Sequence, residues 1–115
     1  MKINELFTSI DKMDSKKFIS FLTEDVIFKF GNFPESVGKE EIKKSVYNFF
    51  STISDLSHKI EYEWKIDDIL ITEGIVTYTR KNNSKISIPF VNVFRLQNNL
   101  IKKYQIYIDI NPLYN

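Results

Sequence analysis

Side chains able to shuttle a proton near neutral pH are scarce in this 115-residue chain, which has one histidine and no cysteine. His58 opens a run in which His58, Ile60, Tyr62, Trp64 and Ile66 alternate with Lys59, Glu61, Glu63 and Lys65. That period of two is the mark of a strand with one dry and one wet face, and it puts His58 on the dry side. An imidazole there either carries a proton or packs as a partly exposed space-filler. Tyr62, Trp64 and Tyr78 either hydrogen-bond a ligand or fill the core. Metal binding finds no support, since one His, no Cys and no spaced acidic cluster leave no ligand set. Asp67-Asp68 reads as turn chemistry. The three glycines lie too far apart for a phosphate-cradling loop. The chemistry left is general acid–base catalysis without a cofactor.

The elements that would position these groups follow from periodicity. Ile3, Leu6, Phe7 and Ile10 form one helical face, and Asp14 caps a second short helix that buries Phe18, Phe21 and Leu22. A strand at 25–30 puts Phe28 and Phe30 on one side, and the stretch from Gly31 to Gly38 reads as a loop. Ile42, Val46, Phe49, Phe50 and Ile53 mark the third and clearest helix. From Ser57 onward four long strands follow, broken by turns at Asp67-Asp68, at 81–84 and at Asn98-Asn99. Helices gathered at one end of an antiparallel meander define an α+β fold, and strands this long must twist, so helices laid across them can enclose a cavity.

Composition sets the outer limits. The length suits one domain spanning residues 1–115, and 43% hydrophobic and 15% aromatic residues support a real core. Ten Phe, six Tyr and no Ala give bulky side chains that suit sheets. A net charge of +1 with interleaved signs argues against a nucleic-acid surface, and the Lys43–Lys44 and Lys102–Lys103 pairs read as solvated faces. No apolar run is long enough to span a bilayer, and the opening Met1-Lys2-Ile3-Asn4-Glu5 lacks a signal peptide's apolar stretch. The expected location is the cytoplasm, with no membrane partner.

The C-terminal half resembles a known family. Ile88-Pro-Phe-Val-Asn-Val-Phe-Arg-Leu96, a turn, and Ile101-Lys-Lys-Tyr-Gln-Ile-Tyr-Ile-Asp109 are similar to the SnoaL-like signature of a PF-x-[DN]-V-F-R strand and a strand ending in Y-x-D. Asn98-Asn99-Leu100 stands where the family often has Asp-Gly-Lys, and Gly38-Lys-Glu-Glu-Ile42 resembles its Gly-led third helix. This SnoaL-like, nuclear transport factor 2-like group includes polyketide cyclases, ketosteroid isomerase, limonene epoxide hydrolase, dehydratases and non-catalytic association domains. The resemblance implies a cone: a strongly curved antiparallel sheet with three N-terminal helices on its concave side. It points Tyr107, Asp109 and Gln105 inward, with Ile88, Phe90, Asn92 and Phe94 on the preceding strand, Val76 and Tyr78 before it, and His58, Tyr62 and Trp64 on the first long strand.

That lining suits a small hydrophobic ligand. Asp109 becomes a candidate general acid or base, because a carboxyl at an apolar floor is desolvated. Tyr107 or Asn92 would position the ligand oxygen and His58 would be a second proton carrier. The competing reading has Asp109 bonding Asn111 and the backbone before Pro112. Tyr104, Ile106, Ile108, Val91 and Val93 would face outward, a patch through which members commonly dimerise, so a homodimer is expected. The chain departs from limonene epoxide hydrolase, which uses an Arg-x-Asp pair where Gly74 and Val76 stand here, and the early mobile base of ketosteroid isomerase has no counterpart. What remains is either one proton transfer of isomerase or cyclase type, or a non-catalytic binding or association domain.

Overall fold

The computed structural model describes residues 1–115. Helix α1 (Ile3–Asp11) buries Leu6, Phe7 and Ile10 as its stripe requires. A left-handed turn at Met13 (φ 55°) leads into α2 (Ser15–Ile19), whose first turn is capped where Asp14 accepts from the Lys17 N–H at 3.0 Å. Strand β1 (Leu22–Phe30) starts earlier than the sequence pattern suggests, because Leu22 is already buried in the sheet. The expected loop holds a two-residue strand β2 (Ser36–Val37), and Gly38 at φ 92° then opens α3 (Lys39–Phe50). Ile42, Val46 and Phe50 bury one face of α3, and Glu40 and Glu41 sit at its positive end.

Four long strands complete the sheet: β3 (Asp55–Ile66), β4 (Ile69–Thr79), β5 (Lys85–Gln97) and β6 (Leu100–Ile108). Asn98 and Asn99 take φ of 51° and 65°, the left-handed pair that a tight hairpin needs. The sheet order is β2-β1-β6-β5-β4-β3. It is mostly antiparallel, as the α+β reading expects, with β1 running parallel to β6. From β1 the chain passes through β2 and α3 to β3 at the far edge of the sheet, and the meander then returns strand by strand until β6 lies beside β1. A 3₁₀ turn (Asn111–Tyr114) follows β6 and is tied to the end of β4, where Arg80 donates to the carbonyls of Pro112 (2.8 Å) and Leu113 (3.0 Å). No helix is long and apolar enough to cross a membrane.

Two irregularities decide which side chains share a face. In β3, Ile60 pairs with Gly74 but Tyr62 pairs with Glu73, so Glu61 is an extra, bulged residue. In β6, Ile101 pairs with Leu96 but Lys103 pairs with Arg95, so Lys102 is extra. Each bulge reverses the alternation that follows it, since one inserted residue sends every later side chain to the opposite face. The consequences correct the expected inward set. Tyr62 and Trp64, 57% and 46% exposed, lie on the face the helices leave open, stacked on each other at 5.7 Å. In β6 it is Tyr104, Ile106 and Ile108 that turn toward the helices, while Tyr107 is 58% exposed and Asp109 is exposed. Burying Gln105 and Asp109 in their place would cost more desolvation than burying the apolar set.

Candidate functional site

A cavity of about 460 Å³ lies between the helices and the sheet. Each element supplies it for a local reason. Ile10 and Phe18 reach it from the apolar faces of α1 and α2, and Val46, Phe49 and Phe50 from the stripe of α3. Phe28 and Phe30 come from β1, and Phe33 and Pro34 from the loop beyond it. Val76 and Tyr78 on β4 and Ile88, Phe90 and Asn92 on β5 point to the helix-covered face, as expected from their alternation. Ile88 is buried beside this wall but does not line the cavity itself. Three aromatic contacts run inward from the mouth: Phe33 to Phe30 at 5.9 Å, Phe30 to Phe49 at 5.4 Å and Phe49 to Tyr78 at 5.7 Å.

The polar groups in this wall are few, and their arrangement decides what chemistry is available. His58 lines the cavity from β3, ahead of the bulge, with its ring held between Phe7 (5.0 Å) and Phe90 (5.4 Å). Its Nδ1 lies 2.5 Å from Oδ1 of Asp11, and the other carboxylate oxygen accepts from the His58 backbone N–H at 3.1 Å. An ionised Asp11 accepts only, so the Nδ1 nitrogen carries the proton and Nε2 keeps a free lone pair. The His58 side chain is 11% exposed and that of Asp11 27%. Such a carboxylate–imidazole pair can act as a general base through Nε2, oriented from behind by the acid.

Asp11 carries no local sequence signal. It follows the last apolar position of α1 and meets His58 across 47 residues, a separation at which only the tertiary fold brings them together. The expected acid, Asp109, stands elsewhere. Its Oδ1 accepts from the Asn111 N–H at 3.1 Å, which closes a local turn before Pro112. Tyr107, Tyr62, Trp64 and Asp109 therefore do not join His58, whereas Asn92, Tyr78, Phe90 and Val76 share its cavity.

Two tyrosines complete the wall. Burial pushes the Tyr104 hydroxyl above the usual tyrosine range, with Tyr78 and then Asp11 adding to it. Burial does the same to Tyr78, with Tyr114 adding. Both remain neutral hydrogen-bond donors through the physiological range. Asn92 is 2% exposed and its Oδ1 has no hydrogen-bond partner, and the hydroxyl of Thr72, its register partner on β4, is likewise unpaired. No three His, Asp or Glu side chains converge in the manner of a metal site.

Comparisons with known proteins place this fold. The fold matches a crystal structure of an NTF2-like protein of unknown function from Burkholderia pseudomallei, with a TM-score of 0.88 at 14% identity, covering 96% of this chain and 90% of that one. It also matches a protein with a ketosteroid isomerase-like fold from Catenulispora acidiphila in complex with trimethylamine (TM-score 0.84, 13% identity, 91% and 82% covered). A third match is TerC co-crystallised with polyporic acid (TM-score 0.85, 13% identity, 97% and 92% covered). At these identities the likeness is one of fold. No curated protein matches the sequence. The sequence model of the SnoaL-like domain matches residues 3–104, nearly the whole chain, and the protein belongs to that family.

Proposed function

We propose that the cavity binds a small, largely apolar molecule and that His58, oriented by Asp11, removes or returns one proton on it. The observation that carries this reading is the Asp11–His58 pair set in an otherwise aromatic and aliphatic wall. A cavity of about 460 Å³ lies in the range that encloses most of a drug-sized ligand. On an enolisable ketone the step balances simply. The α C–H bond breaks, its proton passes to Nε2 of His58, and the electron pair moves into the C=C bond of the enolate. A neutral Tyr78 or Tyr104 hydroxyl is suited to donate to the developing oxyanion.

Proton exchange tests this without knowledge of the natural substrate. Aryl ketones that raise the melting temperature of the protein are incubated in D₂O, and loss of their α-proton NMR signals is followed. Exchange should be faster than in buffer alone and fall by about 100-fold or more in His58→Gln. Undiminished exchange in His58→Gln would remove His58 from the reaction. A non-catalytic binding role is favoured by one observation: both carboxylate oxygens of Asp11 are spent on residue 58, as in a purely structural tie. Bound ketones that never exchange would select that reading.

The open face of the sheet is matched to a second copy of the chain. Exposed Tyr62, Trp64, Ile66 and Tyr107 surround the half-buried Ile71 and Val93 there. Arg95 and Lys103 are register partners at one end of this face and Glu73 lies farther along it, so the patch carries both charge signs. An apolar centre with both signs at its margin suits a self-complementary two-fold contact.

A further inference from the structure

We propose that Glu35, with the rings of Phe33 and Phe30, forms a cation-binding subsite at the mouth of the cavity, and that the ligand is an apolar molecule carrying an ammonium group. This rests on the ligand-binding reading above and adds the charge class of the ligand.

The charge around the cavity is of one sign. The chain has sixteen lysines and arginines, and none of them lines the cavity. Glu35 does line it, and a second carboxylate, Asp11, stands behind His58. The two ion pairs of the chain, Lys39–Glu24 and His58–Asp11, leave Glu35 without a cation. Low-dielectric walls concentrate the field of such charges within a cleft, so a cation is drawn in and an anion is repelled.

Aromatic surface adjoins the carboxylate. Phe33 is 49% exposed, and its ring packs at 5.9 Å and 36° against that of Phe30, which lines the cavity with it. An alkylammonium group complements both features at once. Its charge meets the carboxylate and the negative ring faces, and its methyl groups cover apolar surface that is otherwise left in water.

The segment that carries these groups is held in place. Gly31 (φ 54°) turns the chain out of β1, and its N–H donates to the Ile106 carbonyl at 3.0 Å. The Phe33 N–H donates to the Phe30 carbonyl at 3.0 Å, and the Lys29 ammonium donates to the Phe33 carbonyl at 2.7 Å. Ser36, next to Glu35, pairs with Phe28 in the sheet. Glu35 therefore sits between two anchored residues, and a site ordered in advance loses less on binding. Lys29 itself alternates with Phe28 and Phe30, which puts it on the opposite face of β1, away from the cavity.

Three probes with the same phenylbutyl body test the proposal: 4-phenylbutyltrimethylammonium, 4-phenylbutan-1-ol and the anion 5-phenylpentanoate. Affinities are measured by calorimetry on the wild-type protein, Glu35→Gln and Phe33→Leu. The cation should bind wild type about tenfold more tightly than the alcohol, and the anion more weakly than either. That advantage should shrink as salt is raised from about 20 mM to about 500 mM. Glu35→Gln lies in an exposed segment and should keep the wild-type melting temperature, leave the alcohol's affinity unchanged and bring the cation within about threefold of it. Phe33→Leu should weaken the cation by about fivefold and the alcohol by less than about twofold. An alcohol or anion that binds as tightly as the cation, or a cation advantage that survives Glu35→Gln, overturns the subsite and leaves the cavity intact as a binding site. Equal losses for cation and alcohol in Phe33→Leu remove the ring from it. Failure of all three probes to bind overturns the ligand-binding reading itself.

Discussion

The two halves of β3 carry the same written pattern and have opposite fates. Before the bulge, Leu56 is buried and His58 is nearly so, because α1 lies over them. After it, every residue from Glu61 to Ile66 is exposed, and the aromatic members of the alternation stand on the open face. One extra residue at Glu61 separates the regions, and the lesson is that a period of two fixes a face only up to the next bulge. The bulge is possible because of Gly74. A Cβ there would lie 2.0 Å from the Lys59 carbonyl oxygen, so only a bare backbone lets the bulged strand press in.

The most damaging test of this comparison is Gly74→Ala. The clash is with the Lys59–Ile60 backbone of β3, which cannot swing aside as a side chain would, so unfolding free energy should fall by about 3–5 kcal/mol in urea titration. Stability close to wild type would mean that the bulge is not held as described. Next in size, Trp64→Glu acts only on the distal half of β3. Sedimentation should show the self-association constant weakened by about 100-fold or more, with the circular dichroism spectrum unchanged. A wild-type protein that is monomeric at every concentration would refute the pairing.

A third test probes the covered face through its tyrosines. Their hydroxyls are held above the usual value near 10, so above that pH the unfolded chain releases protons that the folded chain retains. The stabilisation is complete below pH 10 and is lost as pH rises, by up to about 1.4 kcal/mol per pH unit for each such group. Tyr104→Phe should remove one such increment from the slope measured between pH 10 and 11. An unchanged slope would place Tyr104 in contact with solvent. The smallest effect is expected at Asp109→Ala. Losing the bond to the Asn111 N–H should cost less than about 1 kcal/mol and leave ketone exchange untouched. Loss of exchange would return the acid to the chemistry.

Much of the fold was legible because it rests on local signals. The stripe of Ile42, Val46 and Phe50, the cap at Asp14 and the paired asparagines at 98–99 each declare an element without reference to the rest of the chain. The inward faces of β4 and β5 were legible too, since neither strand carries an extra residue in the pairing between them. The site was read less well, for two physical reasons. Facing in β6 turns on Lys102, an inserted residue that motif spacing does not reveal and that turns Asp109 and Tyr107 away from the cavity. The apolarity of Ile106 and Ile108 beside Gln105 and Asp109 was the available signal. Asp11 gives no sequence signal, because its value comes from a partner 47 residues away.

The grip of Asp11 on the main chain of His58 has a consequence for the behaviour of the protein in a crowded solution. β3 is the long edge of the sheet, and an edge amide that points outward invites a strand from another molecule. Asp11 occupies one such amide, at His58 between the exposed Ser57 and Lys59. Farther along, Glu61, Glu63 and Lys65 offer charge instead. The carboxylate that steadies the imidazole thus also withholds one edge amide from a neighbouring strand.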